Sequence, residues 1–270
     1  MSDVHTESPT LAELLDLRGQ VALVTGAGQG VGATTARFLA AQGAAVAVND
    51  YLADRAESVV QDIRAQGGTA IAVPADITAF DSVTDMVARI DGVLGPVTVM
   101  VNNAGNAGAN PQGPARPFWE TDPVAWEPFL AVNLDAVLFC CRAVLPGMIA
   151  GEQGRLITII SDAGRVGEPG MEAYSAAKAG AAGLMRALAR AVARFNITAN
   201  SISIGITNTP AMAGVLSNTD LTRRVLSNYL IRRVGEPADA AALVTYLASP
   251  AASWITGQTY PVNGGFSVTQ

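Results

Sequence analysis

Short β-branched runs alternate with longer amphipathic ones along the first third of the chain, and no other feature restricts its fold as much. The stretches "QVALVTG" (20–26), "AAVAVND" (44–50), "TAIAVPAD" (69–76) and "VTVMVNNAG" (97–105) read as buried strands. Helical patterns fill 30–43, about 53–66 and about 79–94 between them. Strands of this kind, each followed by a helix, imply a parallel sheet covered on both faces. The pattern resumes after a Gly/Pro-rich loop, "NAGANPQGPARP". Two long helices, about 123–150 and 171–195, flank the strand "GRLITIIS" (154–161), and the strand "ITANSISI" (197–204) follows. An irregular segment near 205–234 leads to a helix over 236–249, with Pro237 in its first turn, and to a last strand and turn in "GQTYPVNGG" (257–265). The expectation is an α/β fold: a doubly wound parallel sheet of about seven strands, in one domain over 18–270, with residues 1–17 as an extension.

Composition narrows the chemistry. Half of the 270 residues are hydrophobic and 15% are charged, which fits a folded globule rather than a disordered chain. The net charge of −6 disfavours nucleic acid and anionic membranes as partners, because both need a basic face. The single histidine, His5, lies in the N-terminal stretch. A Ser-His-Asp triad therefore has no base in the folded body, zinc chemistry lacks its ligand clusters, and no metal is expected. Cys140 and Cys141 are adjacent and make no disulfide framework, which fits a reducing, cytoplasmic setting. The N-terminus has no basic patch followed by an apolar core, and Asp135 and Arg142 interrupt the greasiest helix. Neither a signal peptide nor a membrane span is expected.

The first strand runs into "TGAGQGVG", Thr25 to Gly32. Glycines let the backbone turn sharply and approach a ligand closely, and the helix that follows offers free N–H groups and a positive dipole end to a pyrophosphate. Such a loop alone is also compatible with a plain tight turn. Asp50 strengthens the dinucleotide reading, because it ends the second strand twenty residues past Gly30, where a carboxylate can accept from an adenosine ribose. The competing role for Asp50 is a cap on the next helix. Its charge would repel a 2′-phosphate, and neither Gln29 nor Tyr51 offers a cation to offset that, so NAD is expected rather than NADP. Asp76 reads either as an adenine contact or as an ordinary loop aspartate.

A second pattern lies in "YSAAKAG" (174–180). Tyr174 and Lys178 stand at i and i+4, on one helix face. Such a pair is commonly surface decoration. Here Ser161 ends the preceding strand, thirteen residues before the tyrosine, and strand C-termini line the ligand crevice of an open parallel sheet. A phenol with a pKa of about 10 is a poor base near neutrality, and bringing it to about 7 takes roughly 4 kcal/mol. An ammonium at about 4–5 Å offers roughly 3–4 kcal/mol at an effective dielectric of about 20. One lysine a turn away is thus a sufficient cause, and the positive nicotinamide of NAD would add to it.

With both ends in place, the chain resembles the classical short-chain dehydrogenase/reductase family over residues 18–268. "TGAGQGVG" is similar to the family's TGxxxGxG loop, "NNAG" (102–105) to its fourth-strand motif, and Asn133 in "VNLDAV" to its helix asparagine. Ser161 and "YSAAK" are similar to its catalytic serine and YxxxK, and "ITGQTYPVNGG" to its C-terminal signature. One departure is Ile204-Gly205, where the family has Pro-Gly. The resemblance implies a Rossmann-type sheet and hydride transfer between a dinucleotide and an alcohol or ketone. It implies that Tyr174 is the acid/base, that Lys178 tunes it and binds the nicotinamide ribose, that Ser161 holds the substrate oxygen, and that Asn133 anchors a relay water. The implied cofactor contacts are Gly26, Gln29, Gly30, Val31, Gly32, Asp50, Tyr51, Asp76, Ile77, Asn103, Ala104, Gly105, Tyr174, Lys178, Ile206, Thr207 and Thr209. The long helices are too apolar to face water, and the family pairs them between subunits, so a homotetramer, or at least a dimer, is expected.

Ala107, Asp162, Met171, Ile206, Met212 and Leu216 follow the fourth, fifth and sixth strands and form the expected substrate pocket. The set is mostly apolar, and it points to a hydrophobic secondary alcohol or ketone: cyclic, steroid-like or acyl. No basic cluster is read as marking a phosphorylated or carboxylated substrate. Asp162 reads either as a polar substrate contact or as a turn residue salt-bridged to Arg165, and the turn is preferred. The alternatives are an NADP-dependent 3-oxoacyl-type reductase of the same family, a non-catalytic dinucleotide-binding protein, and a lyase or epimerase that uses the bound dinucleotide without net turnover.

Overall fold

In the computed structural model, which describes residues 8–105 and 116–268, the seven expected strands join one parallel sheet. They are β1 (Val21–Val24), β2 (Ala45–Val48), β3 (Ala70–Ala72), β4 (Val99–Asn102), β5 (Gly154–Ser161), β6 (Ile197–Ile204) and β7 (Thr259–Val262), in the spatial order β3-β2-β1-β4-β5-β6-β7. Strand order reverses between β1 and β4, and that switch point opens a crevice at the strand C-termini.

Eleven α-helical segments are described: α1 (Leu11–Leu14), α2 (Gly30–Ala41), α3 (Ala53–Ala65), α4 (Phe80–Val93), α5 (Glu127–Leu130), α6 (Ala136–Ala150), α7 (Ala163–Val166), α8 (Glu172–Val192), α9 (Ala213–Leu216), α10 (Thr219–Leu226) and α11 (Pro237–Ala248). Alternate strand residues feed two cores. Leu23, Met100 and Leu156 pack under α4, α6 and α8, while Val24, Val101 and Ile157 pack under α2, α3 and α11. Both faces of β1 and β4 are therefore buried, which is why these strands read as continuous apolar runs.

Several boundaries differ from the sequence expectation. The strand read over 69–76 keeps only Ala70–Ala72 in the sheet. The helix read over 123–150 is composite: a 3-10 turn at Pro123–Trp126, then α5, then a π-helical turn at Ala131–Asp135, then α6. Pro123 and Pro128 each open a segment where a missing N–H costs least. The run Pro123–Ala150 is long and apolar enough to cross a membrane by length and composition. Its Val137, Cys140, Cys141, Val144 and Met148 nevertheless pack in the core, and burial pushes the Cys141 thiol up to about 12. At the N-terminus a Thr10–Glu13 capping box starts α1, and Leu17, from the stretch expected to be an extension, is fully buried with its N–H donated to the Gln42 carbonyl. His5 lies outside the described residues.

Candidate active site

The glycine loop is fixed by its neighbours. Gly26 takes φ +60°, and a Cβ there would sit 2.8 Å from the Ala104 Cα, so only glycine fits. Asn103 donates through Nδ2 to the carbonyls of Thr25 (2.9 Å) and Gly26 (3.1 Å), and Thr25 Oγ1 accepts from the N–H groups of Asn103 (3.1 Å) and Ala104 (3.2 Å). These bonds join β1 to the end of β4. Asp50 is buried: its Oδ2 accepts from Gly28 N–H at 3.1 Å, which braces the glycine loop, and its Oδ1 accepts from Leu52 N–H at 3.0 Å, just before α3, without capping that helix. Asp76 accepts from the Thr78 N–H and hydroxyl, as a loop aspartate does.

A cavity of about 620 Å³ lies over the switch point. Of the expected cofactor contacts it is lined by Gly26, Gln29, Gly30, Val31, Asp50, Tyr51, Asp76, Ile77, Asn103, Ala104, Gly105, Tyr174, Lys178 and Thr209. Gly32, Ile206 and Thr207 do not line it. Gly32 is buried against Asn103 and the Gly26 carbonyl, a packing position where a side chain has no room. The Ile206 N–H donates to Tyr229 Oη at 2.8 Å, and the residue lines a neighbouring cavity instead. Thr207 is buried, with its hydroxyl on the Gly205 carbonyl. The chain leaving β6 through Ile204-Gly205 thus turns away from the cleft and re-enters it at Thr209.

The four residues expected at the chemical end lie near one another. Tyr174 and Lys178 project from α8, Ser161 ends β5, and Asn133 sits in the π turn before α6. The wider winding there leaves Asn133 fully buried, with Nδ2 donating to the Phe129 carbonyl at 2.9 Å. A Cβ on Gly105 would lie 2.8 Å from Asn133 Oδ1 and 3.0 Å from Lys178 Nζ, so Gly105 covers both polar ends. Lys178 is buried, donates to the Ile159 carbonyl at 3.0 Å, and lies 5.8 Å from the Tyr174 ring centroid. Burial draws its ammonium down to about 8. Burial also pushes the Tyr174 phenol above its ordinary value, and a hydrogen bond with Ser161 pulls the other way. The expectation was a phenol lowered by the lysine; in the cleft itself desolvation is the larger influence on the phenol and the Ser161 hydrogen bond the smaller.

The expected substrate set is only partly brought together. Met212 lines the main cavity, and Ala107 lies outside the described residues. Met171 lines a smaller cavity of about 120 Å³ with Phe118, Trp126, Phe129 and Arg116, and Tyr174 lines that cavity too. Phe118 and Trp126 stack with ring centroids 4.9 Å apart. These aromatics were not expected; their signal was the aromatic run just after the Gly/Pro-rich loop, in "PFWETDPVAW". Leu216 lines a groove along α10 with Arg223 and Arg232, a basic feature the sequence reading passed over in "TRRVLSNYLIRR". Asp162 pairs with Arg165 at 2.9 Å, as read, and faces away from the cleft. Among the described residues no cluster of three His, Cys, Asp or Glu could hold a metal.

A parallel sheet with its switch-point cleft, a glycine loop at one end and a serine, tyrosine and lysine at the other defines a dinucleotide-dependent oxidoreductase. The chain belongs to the classical short-chain dehydrogenase/reductase family. The family model described as enoyl-(acyl carrier protein) reductase matches residues 26–267. The cis-4-hydroxycyclohexanecarboxylate dehydrogenase of Sinomonas cyclohexanicum is 36% identical over 248 residues, 92% of this chain and 96% of that protein. A 3-oxoacyl-(acyl-carrier-protein) reductase of Staphylococcus epidermidis is 38% identical, over 90% of this chain and 97% of that one. Among solved structures, a 7α-hydroxysteroid dehydrogenase with NADH and 7-oxoglycochenodeoxycholic acid superposes with TM-score 0.89 at 33% identity, covering 95% of this chain and 98% of that one. A gluconate 5-dehydrogenase from Burkholderia cenocepacia with NADP and tartrate superposes with TM-score 0.88 at 28% identity, covering 96% and 100%.

Proposed function

We propose that the protein is an NAD(H)-dependent alcohol dehydrogenase/ketoreductase acting on a hydrophobic secondary alcohol or ketone. The observation that carries this reading is the place of Tyr174: one phenol lines both the dinucleotide-sized cleft and the small aromatic cavity beside it. A reacting alcohol between the two would have its hydroxyl at the phenol.

The residues of the cleft fit a nicotinamide dinucleotide. The backbone of the loop from Gly26 and the start of α2 would hold the pyrophosphate, Asp50 the adenosine ribose, and Lys178 the nicotinamide ribose. When bound, the dinucleotide supplies the hydride acceptor or donor and, when oxidised, a positive charge near the phenol. In the oxidative direction Tyr174 Oη takes the hydroxyl proton, and in the reductive direction it gives a proton to the carbonyl oxygen. Ser161 holds that oxygen and hydrogen-bonds the phenol. Lys178 lowers the cost of the phenolate, and Asn133, beside Lys178 at Gly105, anchors a water that passes the proton outward. Because burial raises the phenol, the base form is scarce at neutral pH, so alcohol oxidation gains with rising pH and ketone reduction does not.

NAD is favoured by the Asp50 carboxylate just past the end of β2 and by exposed Tyr51 beside it; Arg55, whose stem meets Asp50 at Gly28, does not line the cleft. A 3-oxoacyl thioester reductase is the second reading, favoured by the Staphylococcus relative. The apolar outer faces of α6 and α8, with Leu138 exposed, are proposed to pair in a homotetramer, and the two buried free thiols fit a reducing cytoplasm. A panel of ring ketones, steroids, acyl thioesters and polyols, read by NADH absorbance, tests the substrate class. Turnover of apolar ketones is expected, and a clear preference for polyols would contradict it.

A further inference from the structure

The residue that follows Ser161 turns its side chain away from the cleft into a closed network. Asp162 is 2% exposed. Its Oδ1 accepts from Arg165 Nη1 at 2.9 Å and from Ser203 Oγ at 2.6 Å, and its Oδ2 accepts from Asn263 Nδ2 at 2.5 Å. Asn263 Nδ2 also reaches the Ser267 carbonyl and hydroxyl, each at 3.0 Å, and Arg165 Nη1 reaches the Ser267 hydroxyl at 2.7 Å. A buried carboxylate is costly unless every lone pair is used, and here the donors come from α7, β6 and the turn after β7.

The backbone around Asp162 is held as firmly. Its N–H donates to the Ile204 carbonyl at 3.2 Å, and its own carbonyl accepts from the N–H groups of Arg165 (2.8 Å) and Val166 (2.9 Å). Ser161 Oγ accepts from Ala163 N–H at 3.2 Å, across the same turn. The far side of the network meets the substrate-side segment. Ile231 N–H donates to the Gly264 carbonyl at 2.8 Å, and the Tyr229 ring packs on Phe266 with centroids 5.1 Å apart.

We propose that Asp162 is a positioning residue for carbonyl chemistry at Ser161. It clamps the turn that carries the serine onto the C-terminal segment 263–267, so placement of the oxygen-holding hydroxyl depends on residues outside the cleft. The proposal rests on the reading of Ser161 and Tyr174 given above. A purely stabilising role would change the melting temperature and leave turnover per folded molecule intact.

The test compares Asp162→Asn, the double variant Asp162→Asn/Asn263→Asp, and Ser267→Ala, each assayed with a ketone the wild type reduces. Asp162→Asn sets an amide against the Asn263 amide, and kcat is expected to fall at least tenfold while NADH affinity by fluorescence titration stays within twofold. The double variant restores a carboxylate–amide pair and should recover kcat to within about threefold of wild type. Full kcat in the folded single variant, or a double variant as slow as the single, would overturn the proposal. Should Asp162→Asn not fold, Ser267→Ala decides: a kcat loss of about threefold supports the clamp, and unchanged kcat overturns it. If the wild type reduces no ketone at all, the functional reading fails by itself. The clamp is then read by ultraviolet titration of the Tyr174 phenol against a Tyr174→Phe blank: its midpoint should rise in Asp162→Asn, or in Ser267→Ala if that variant does not fold, as the Ser161 hydrogen bond is lost, and no rise overturns it.

Discussion

Around the glycine loop, the side chains of Thr25, Asp50 and Asn103 tie the ends of β1, β2 and β4 together with hydrogen bonds of 2.9–3.2 Å where they meet the loop. Across the cleft, the segment 205–234 is tied to its neighbours mainly by backbone bonds at Gly205, Asn208 and Ile231 and by the Tyr229 ring on Phe266, and leaves Leu230 76% and Ile231 59% exposed. One side of the cleft is a backbone cradle braced by buried polar groups; the other is a set of short helices presenting side chains. A cradle suits a ligand that never changes, since backbone N–H groups and glycine spacing recognise a pyrophosphate whatever the substrate is. Side chains on short helices suit a ligand that differs from one relative to the next. The residues proposed for proton transfer, Tyr174, Lys178 and Ser161, sit on α8 and at the end of β5.

Substitutions can break or sharpen this contrast. The largest effect is expected at Lys178→Met, with kcat falling about a thousand-fold. Burial has lowered the lysine from 10.5 to about 8 in the folded protein. The folded state therefore sheds its proton earlier than the unfolded chain. The cost is fully present below pH 8 and fades between about 8 and 10.5, so wild-type stability should rise across that window. The full cost is roughly 3 kcal/mol, offset in the variant by about 1–2 kcal/mol for the unbonded Ile159 carbonyl. Thermal melts at pH 7 should find the variant no less stable than wild type, and a large drop would contradict this account of the site.

Next comes Gly26→Ala, which forces a side chain into φ +60° and against Ala104. It should cost about 2 kcal/mol or more of stability and at least a tenfold loss in NADH affinity, read by denaturation and fluorescence titration; tolerance would show that the cradle is not rigid. Asp50→Ala should narrow the NAD-over-NADP preference in kcat/KM by about ten- to a hundredfold. It should also weaken binding of both cofactors, because the brace on Gly28 is lost. The smallest effect is expected on the side-chain half: Met212→Ala should raise KM for an apolar ketone about three- to tenfold and leave NADH affinity unchanged. If it lowered NADH affinity as much as Gly26→Ala, the two halves would not be separable.

The same contrast explains what could be read from the sequence. Sheet, strand sequence and glycine loop follow from patterns that one backbone geometry imposes, so β1, β2, β4 and the Gly26–Gly32 loop fell where expected. The proximity of Tyr174, Lys178 and Ser161 was legible from spacing and strand position, and that of Asn133 from resemblance alone, since the π turn that buries it has no clear sequence mark. Ile206 and Thr207 do not line the cleft, because Tyr229 holds the Ile206 N–H from twenty-three residues farther on, and no local pattern announces that bond. The rise of the phenol on burial is hidden from the sequence for a similar reason. Helix spacing gives the proximity of Tyr174 and Lys178, while their burial depends on the whole fold.

The central claim is that one phenol performs proton transfer beside a dinucleotide held independently of it, and Tyr174→Phe tests that claim most directly. The account predicts NADH binding within about twofold of wild type by fluorescence titration, together with loss of turnover by about a thousand-fold or more. Turnover kept at near wild-type rate in the phenylalanine variant would contradict it.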